Sequence, residues 1–290
     1  MTTPGRSAAV ELPPETAVVG GGRMGAGIAH ALLLAGSTVT LVETDSAAAA
    51  AARARVVRAV ERSAERGTLA TSAHRVLSQL TTTTTIDGTA SAGLVIEAVS
   101  ESPALKASVL GAVARTVGPS VVIATNTSSL SIDELSLATP PAGRFIGLHF
   151  FNPVPASGLV EVVTGTATAP EVTARAVGWV RTMGKTPVVV RDSPGFATSR
   201  LGVALGLEAI RMVADGVASA EDIDTAMSLG YRHPIGPLRL TDLVGLDVRL
   251  GIAQYLAKTL GSRFEPPALL REMVSEGHLG QKSGQGFYPW

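Results

Sequence analysis

The sequence predicts an α/β domain built on a mostly parallel sheet, followed by an all-α domain. Two observations carry this. From Glu15 to Val190 short β-branched runs alternate with Ala-rich stretches of helical character, the alternation that βαβ units produce. After Asp192-Ser193-Pro194-Gly195 the β-branched runs stop and helical periodicity takes over. A chain of 290 residues also exceeds the usual size of one domain. The expected division is a disordered lead over 1–14, the α/β domain over 15–192 and the helical domain over 193–290.

Taken in order, the segment MTTPGRSAAVELPPET has one Arg, adjacent prolines and no long apolar core. It fits neither a signal peptide nor a membrane anchor, so the expected location is the cytoplasm. Strands are expected at Thr16–Val19, Thr38–Val42, Thr81–Thr85, Leu94–Glu97, Val121–Ala124, Arg144–His149, Leu159–Val163 and Pro187–Val190. Most are apolar on both faces, as a sheet covered on both sides requires. A helix is expected over Met24–Ala35, directly after the first strand. Ser46–Ala54 is Ala-rich but continues into Arg55–Arg66 with charge on one side, which reads as helix rather than low complexity. Glu101 and Lys106 are read as the start of the helix after Leu94–Glu97, and another helix is read from Ser131. In the second half helices are expected over Phe196–Gly216, Ala220–Leu229 and Thr241–Leu260, with Ser219 and Asp222 forming a capping box.

Composition removes several classes of function. Lys plus Arg and Asp plus Glu both number 24, and charged residues are 17% of the chain, so no broad field draws nucleic acid or an anionic membrane. There is no cysteine, which excludes disulfides and thiolate chemistry, and five scattered histidines suggest no metal cluster. Redox chemistry would need a borrowed cofactor.

Gly20-Gly21-Gly22-Arg23-Met24-Gly25 supplies that need. It follows the first strand and opens a helix, giving G-x-G-x-x-G in strand-turn-helix context. Gly20 permits the tight turn, Gly22 lets backbone N–H groups approach a pyrophosphate, and Gly25 lets the helix lie on the strand. Arg23 and Met24 belong to the same cofactor-facing loop. Glu43 ends the second strand, where its carboxylate can accept from ribose hydroxyls and repel a 2′-phosphate, so NAD is preferred to NADP. The first domain is therefore expected to be a Rossmann-type dinucleotide-binding domain.

Three further places can carry chemistry. His149 ends a strand, where open α/β sheets face their ligand, although a satisfied core histidine fits the position equally. Glu161 lies among apolar neighbours on the next strand and needs a partner there. If the two touch, the carboxylate fixes the imidazole tautomer and the other ring nitrogen can take an alcohol proton. Asn126 through Ser129 follow another strand end and can grip nicotinamide or substrate, or simply cap the next helix. Glu101 and Lys106 can reach the cofactor or serve as surface charges stabilising their helix; local spacing favours the surface reading.

Together GGGRMGAGIA at 20–29, VIEAVSE at 95–101, NTSSLSI at 126–132, GLHFFNPVP at 147–155, LVEVV at 159–163, DSPGF at 192–196 and GQKSGQGFY at 280–288 resemble the short-chain L-3-hydroxyacyl-CoA dehydrogenase family. The likeness runs from about Thr16 to Tyr288. It implies that His149 is the general base and Glu161 its orienting partner, while Ser128 and Asn152 contact the reacting groups and the nicotinamide. It also implies that Glu101, Lys106 and Lys282 lie around NAD, and that the helical domain forms a homodimer interface and helps close a cleft over the acyl chain. The implied substrate is an acyl-CoA, a short (S)-3-hydroxyacyl thioester such as 3-hydroxybutyryl-CoA or 3-hydroxyadipyl-CoA.

Two departures bear on the substrate. Ser199 stands where the family commonly has Asn, and Ala59 and Arg66 stand where it often has a serine and a lysine that meet the coenzyme A nucleotide. Arg66 can still bind phosphate. These changes leave open a carrier-protein thioester or a sugar acid as substrate on the same scaffold, and a non-catalytic NAD-binding protein is the alternative of another class. The 3-hydroxyisobutyrate-type dehydrogenases fit poorly, because no lysine occurs between Lys185 and Lys258.

Overall fold

The computed structural model describes residues 11–290. Residues 1–10 of the expected disordered lead lie outside the described residues, whereas residues 11–14 pack on the sheet domain. Leu12 is buried, Trp179 Nε1 donates to the Glu11 carbonyl at 3.0 Å and Ser37 Oγ donates to the Pro13 carbonyl at 2.8 Å. The chain divides into two compact units, the first ending at Asp192 and the second spanning Ser193–Trp290.

The first unit runs β1 (Glu15–Val19), α1 (Arg23–Leu34), β2 (Thr38–Val42), α2 (Ser46–Glu65), α3 (Ala73–Leu77), β3 (Leu80–Thr83), β4 (Leu94–Glu97), α4 (Pro103–Thr116), β5 (Val122–Thr125), α5 (Ile132–Ser136), β6 (Phe145–Phe150), β7 (Leu159–Thr164), α6 (Pro170–Thr182) and β8 (Thr186–Arg191). Its eight strands form one sheet in the order β3-β2-β1-β4-β5-β6-β7-β8. All neighbours are parallel except β6 and β7. The chain reverses its direction of travel across the sheet between β1 and β4, and that switch point is where such sheets bind ligands. Strand residues Val18, Leu41, Ile96 and Leu148 pack in one core with Ile28 and Leu32 of α1, Val56 of α2 and Trp179 of α6.

The second unit is helical: α7 (Thr198–Ala214), α8 (Ala220–Gly230), α9 (Pro237–Val244), α10 (Leu246–Leu260) and α11 (Ala268–Ser275). Leu207, Ile223, Leu238, Leu246, Leu256 and Leu270 share its core. Buried Asp242 ties down the last residues, accepting from Phe287 N at 3.0 Å, Tyr288 N at 2.9 Å and Trp290 Nε1 at 2.9 Å. Ser219 caps α8 through Asp222 N at 3.1 Å, but the Asp222 carboxylate accepts from the Ser219 hydroxyl instead of reaching the backbone, being shorter than the Glu of a full box.

Several expected boundaries move. Arg144 does not begin a strand; it closes a 3₁₀ turn, and its guanidinium donates to the carbonyls of Ala114, Gly118 and Pro140. The expected helix Thr241–Leu260 is two helices, because Gly245 at φ +104 breaks the hydrogen-bond pattern between them. Phe196 precedes α7 with φ +50 and is not helical. Glu101 does not begin a helix either, since Ser102 is the N-cap of α4.

Candidate active site

The site begins where β1 ends. Gly20 turns the chain at φ +94, a conformation that favours glycine. A Cβ on Gly25 would stand 1.7 Å from the Gly20 carbonyl oxygen, so only glycine lets α1 rest on the turn. Gly22 has nothing within 4 Å of such a position, and as N-cap of α1 it supplies no side-chain cap. The first N–H groups of α1 are thus left for an outside acceptor, and the missing side chain lets it approach.

The role of Gly21 was missed by motif reasoning, which treats it as a spacer. Its N–H donates to Glu43 Oε1 at 2.6 Å, and a Cβ there would meet Ala52 Cβ at 2.3 Å. The triple glycine was the available signal. Thr44 N donates to Glu43 Oε2 at 3.2 Å, so the carboxylate is held just past β2. A cavity of about 440 Å³ opens here, lined by Gly20, Gly22, Glu43, Thr84, Val99 and Leu105 among others. An apolar slot ending in a fixed carboxylate beside an uncapped helix start fits an adenosine with its diphosphate, and the carboxylate disfavours a 2′-phosphate.

Beyond this cavity lies a buried polar network. Lys106 is not the surface charge that local spacing suggested. It is 1% exposed, because the stem of α4 packs it beneath the end of β4. Its Nζ donates to Glu97 Oε1 at 2.7 Å and the Val99 carbonyl at 3.2 Å, and lies 3.3 Å from Glu101 Oε2. Glu101 Oε1 in turn accepts from Thr127 Oγ1 at 2.6 Å, Ser128 N at 2.8 Å and Ser128 Oγ at 3.1 Å. Three expected cofactor residues, Glu101, Lys106 and Ser128, are therefore brought together. Glu97, which sequence reasoning placed only as a strand end, is their buried centre.

At the carboxyl end of β6, His149 Nδ1 lies 2.7 Å from Glu161 Oε2. The antiparallel register of β6 and β7 sets the two residues directly opposite each other. His149 is 6% and Glu161 0% exposed, so the carboxylate's burial is compensated by the imidazole and the ring orientation is fixed. Asn126 Oδ1 accepts from Phe150 N at 2.9 Å, which ties the end of β5 to the residue after His149. Asn152 is exposed in the following loop.

That loop borders a second cavity of about 180 Å³, lined by Arg23, Arg55, Arg58, Arg62, Ala59 and Asn152 among others. Arg55 also donates to the Gly21 carbonyl at 3.2 Å. Arg66, the residue expected to meet the substrate carrier, is the C-cap of α2 and does not line this cavity. Sequence reasoning weighed two positions on the helix and overlooked that Arg55, Arg58 and Arg62 recur at helical spacing on one face. In the second unit Ser199 sits in the first turn of α7, and Lys282 pairs with Asp247.

A sheet whose switch point carries a glycine turn and a fixed carboxylate, with a histidine–carboxylate pair at the same sheet end, defines a dinucleotide-dependent dehydrogenase. Comparison with known proteins specifies it further. Residues 15–193 match the family model described as 3-hydroxyacyl-CoA dehydrogenase, NAD binding domain, and residues 195–290 match its C-terminal domain. The chain belongs to the 3-hydroxyacyl-CoA dehydrogenase family, whose members are NAD-dependent oxidoreductases. It is 41% identical to the probable 3-hydroxybutyryl-CoA dehydrogenase of Bacillus subtilis, covering 94% of this chain and 96% of the relative. It is 43% identical to the 3-hydroxybutyryl-CoA dehydrogenase of Mycobacterium tuberculosis, covering 94% and 97%. The crystal structure of (S)-3-hydroxybutyryl-CoA dehydrogenase PaaH1 from Ralstonia eutropha superposes with a TM-score of 0.91 at 38% identity, covering 96% of this chain and 99% of that one.

Proposed function

We propose that this enzyme interconverts short (S)-3-hydroxyacyl-CoA and 3-oxoacyl-CoA thioesters, with 3-hydroxybutyryl-CoA and 3-hydroxyadipyl-CoA as the leading substrates and His149 as the base. The observation that carries the reading is the 2.7 Å contact between His149 Nδ1 and Glu161 Oε2. The contact favours the tautomer with its hydrogen on Nδ1, so Nε2 bears the lone pair that takes the substrate hydroxyl proton. Glu161 stabilises the imidazolium that forms, and in the reverse direction the same Nε2 returns the proton to the carbonyl oxygen. The glycine turn and Glu43 would hold NAD, which would supply the acceptor for the hydride that leaves C3. Ser128 and Asn152 are assigned to the substrate and the nicotinamide.

The arginine-lined cavity supports coenzyme A as carrier. Arg23, Arg55, Arg58 and Arg62 surround one space, a density of guanidinium groups suited to its phosphates. The alanine and arginine at 59 and 66 are on this reading a redistribution of phosphate binding along the same helix. The helical unit leaves Leu201, Leu229 and Tyr231 more than two-thirds exposed, which supports a homodimer through that unit. Among the described residues no helix is long and apolar enough to cross a membrane; cytoplasmic residence belongs to the same reading.

The deciding experiment follows NADH oxidation with acetoacetyl-CoA in wild type and His149→Ala, and repeats it with NADPH. Turnover with NADH that the substitution abolishes is the expected result. Tight NADH binding without turnover would remove 3-hydroxybutyryl-CoA and leave 3-hydroxyadipyl-CoA, longer or carrier-bound substrates. Light scattering is expected to give twice the mass of one chain.

A further inference from the structure

We propose that Glu97 is a positioning residue of the cofactor site, acting through Lys106 and Glu101 on Ser128. It is fully buried at the end of the central strand β4, in register with Val19 of β1 and Thr125 of β5. Both of its carboxylate oxygens are engaged: Oε1 by Val99 N and Lys106 Nζ, each at 2.7 Å, and Oε2 by Thr125 Oγ1 at 2.6 Å. It thus ties together the segment that follows β4, the end of β5 and the first turn of α4.

Lys106 transmits this placement. An ammonium group has three N–H donors. Three oxygens of the chain already surround Nζ: Glu97 Oε1, the Val99 carbonyl and Glu101 Oε2. A ribose hydroxyl could gain a donor only by displacing one of them, so Lys106 serves the cofactor by holding Glu101. Glu101 is the member of the chain that reaches solvent, its side chain being 38% exposed, and it holds both the N–H and the hydroxyl of Ser128. A rigid carboxylate at a ligand site needs such support, because an unsupported one would turn toward water.

The inference requires NAD to bind at this site and is independent of which thioester reacts. Fluorescence titration with NADH, without thioester, therefore tests it separately from the substrate assignment. Glu97→Gln is expected to raise the NADH Kd about tenfold or more. The double variant Glu97→Gln/Lys106→Met removes both buried charges, so its thermal midpoint is expected to return toward wild type while the Kd stays high. Should Glu97→Gln fail to fold, Thr125→Val, which loosens Glu97 without removing a charge, is expected to raise the Kd about threefold. An NADH Kd that recovers together with stability in the double variant would make Glu97 a packing residue only. A Kd unchanged in Glu97→Gln or Thr125→Val would overturn the proposal outright.

Discussion

Two histidines of this chain are buried beside hydroxyl or carboxylate partners, and the partner decides what each can do. His149 faces Glu161, so a positive imidazole is compensated where it forms. Glu161→Gln keeps the shape and removes the compensation; kcat is expected to fall roughly a hundredfold or more, with the NADH Kd unaffected. Equal kcat in the two proteins would remove Glu161 from the mechanism. His30 instead faces Ser63 Oγ at 2.9 Å, with Arg62 and Lys185 nearby. Burial first, then those two cations, push its pKa down from 6.5 to about 4. Because the unfolded chain binds this proton more readily, stability is intact above pH 6.5 and falls as pH drops toward about 4. The full effect is about 3 kcal/mol. Urea unfolding across this window is expected to show a shallower loss in His30→Gln than in wild type, and parallel curves would exclude His30 as the source.

At the scale of the element, the turn between β1 and α1 shows two glycines needed for different reasons. Gly25 is required by the fold, since its Cβ would collide with the Gly20 carbonyl. Gly25→Ala is expected to cost about 1–3 kcal/mol in chemical denaturation, and NADH binding with it. Gly22 has open space around it and φ −59, so an added methyl fits the folded chain. Gly22→Ala is expected to change stability by about 0.5 kcal/mol or less while weakening NADH severalfold, because on the proposed reading the added methyl would stand in the path of the diphosphate. Comparable stability losses in both variants would contradict this division. The break at Gly245 makes the complementary point: α9 and α10 read as one periodic run, and only the backbone angle of one glycine separates them.

For the molecule as a whole, cofactor binding and folding are linked, since the NAD contacts of the first unit exist only in the folded state. NADH at about 100 times its Kd is expected to add about 2.7 kcal/mol to the unfolding free energy of that unit. With NADH bound severalfold more weakly, the gain in Gly22→Ala at the same NADH concentration is expected to be smaller by about 1 kcal/mol. A stabilisation equal in both proteins would place NADH binding elsewhere.

The alternation of strands and helices, the start of the helical half near Ser193, the glycine turn and Glu43 as the acidic strand end were all legible in order along the chain, because each is local. Strand propensity, helical period and a turn motif are decided within a few residues of each other. The pairing of His149 with Glu161 was legible only as a possibility, because both single residues fit a bland core reading. The antiparallel step between β6 and β7 set them in register, and a register is a property of two strands. Local spacing favoured a surface charge at Lys106, against the place around NAD that the family resemblance implied, for the same reason. Its spacing from Glu101 describes a helix face, while its burial is decided by Glu97 on a strand and Thr125 on the strand beside it. What the sequence determined by itself was the fold class and the cofactor loop; what the tertiary structure decided was which charges meet, since burial and pairing depend on residues distant in the chain.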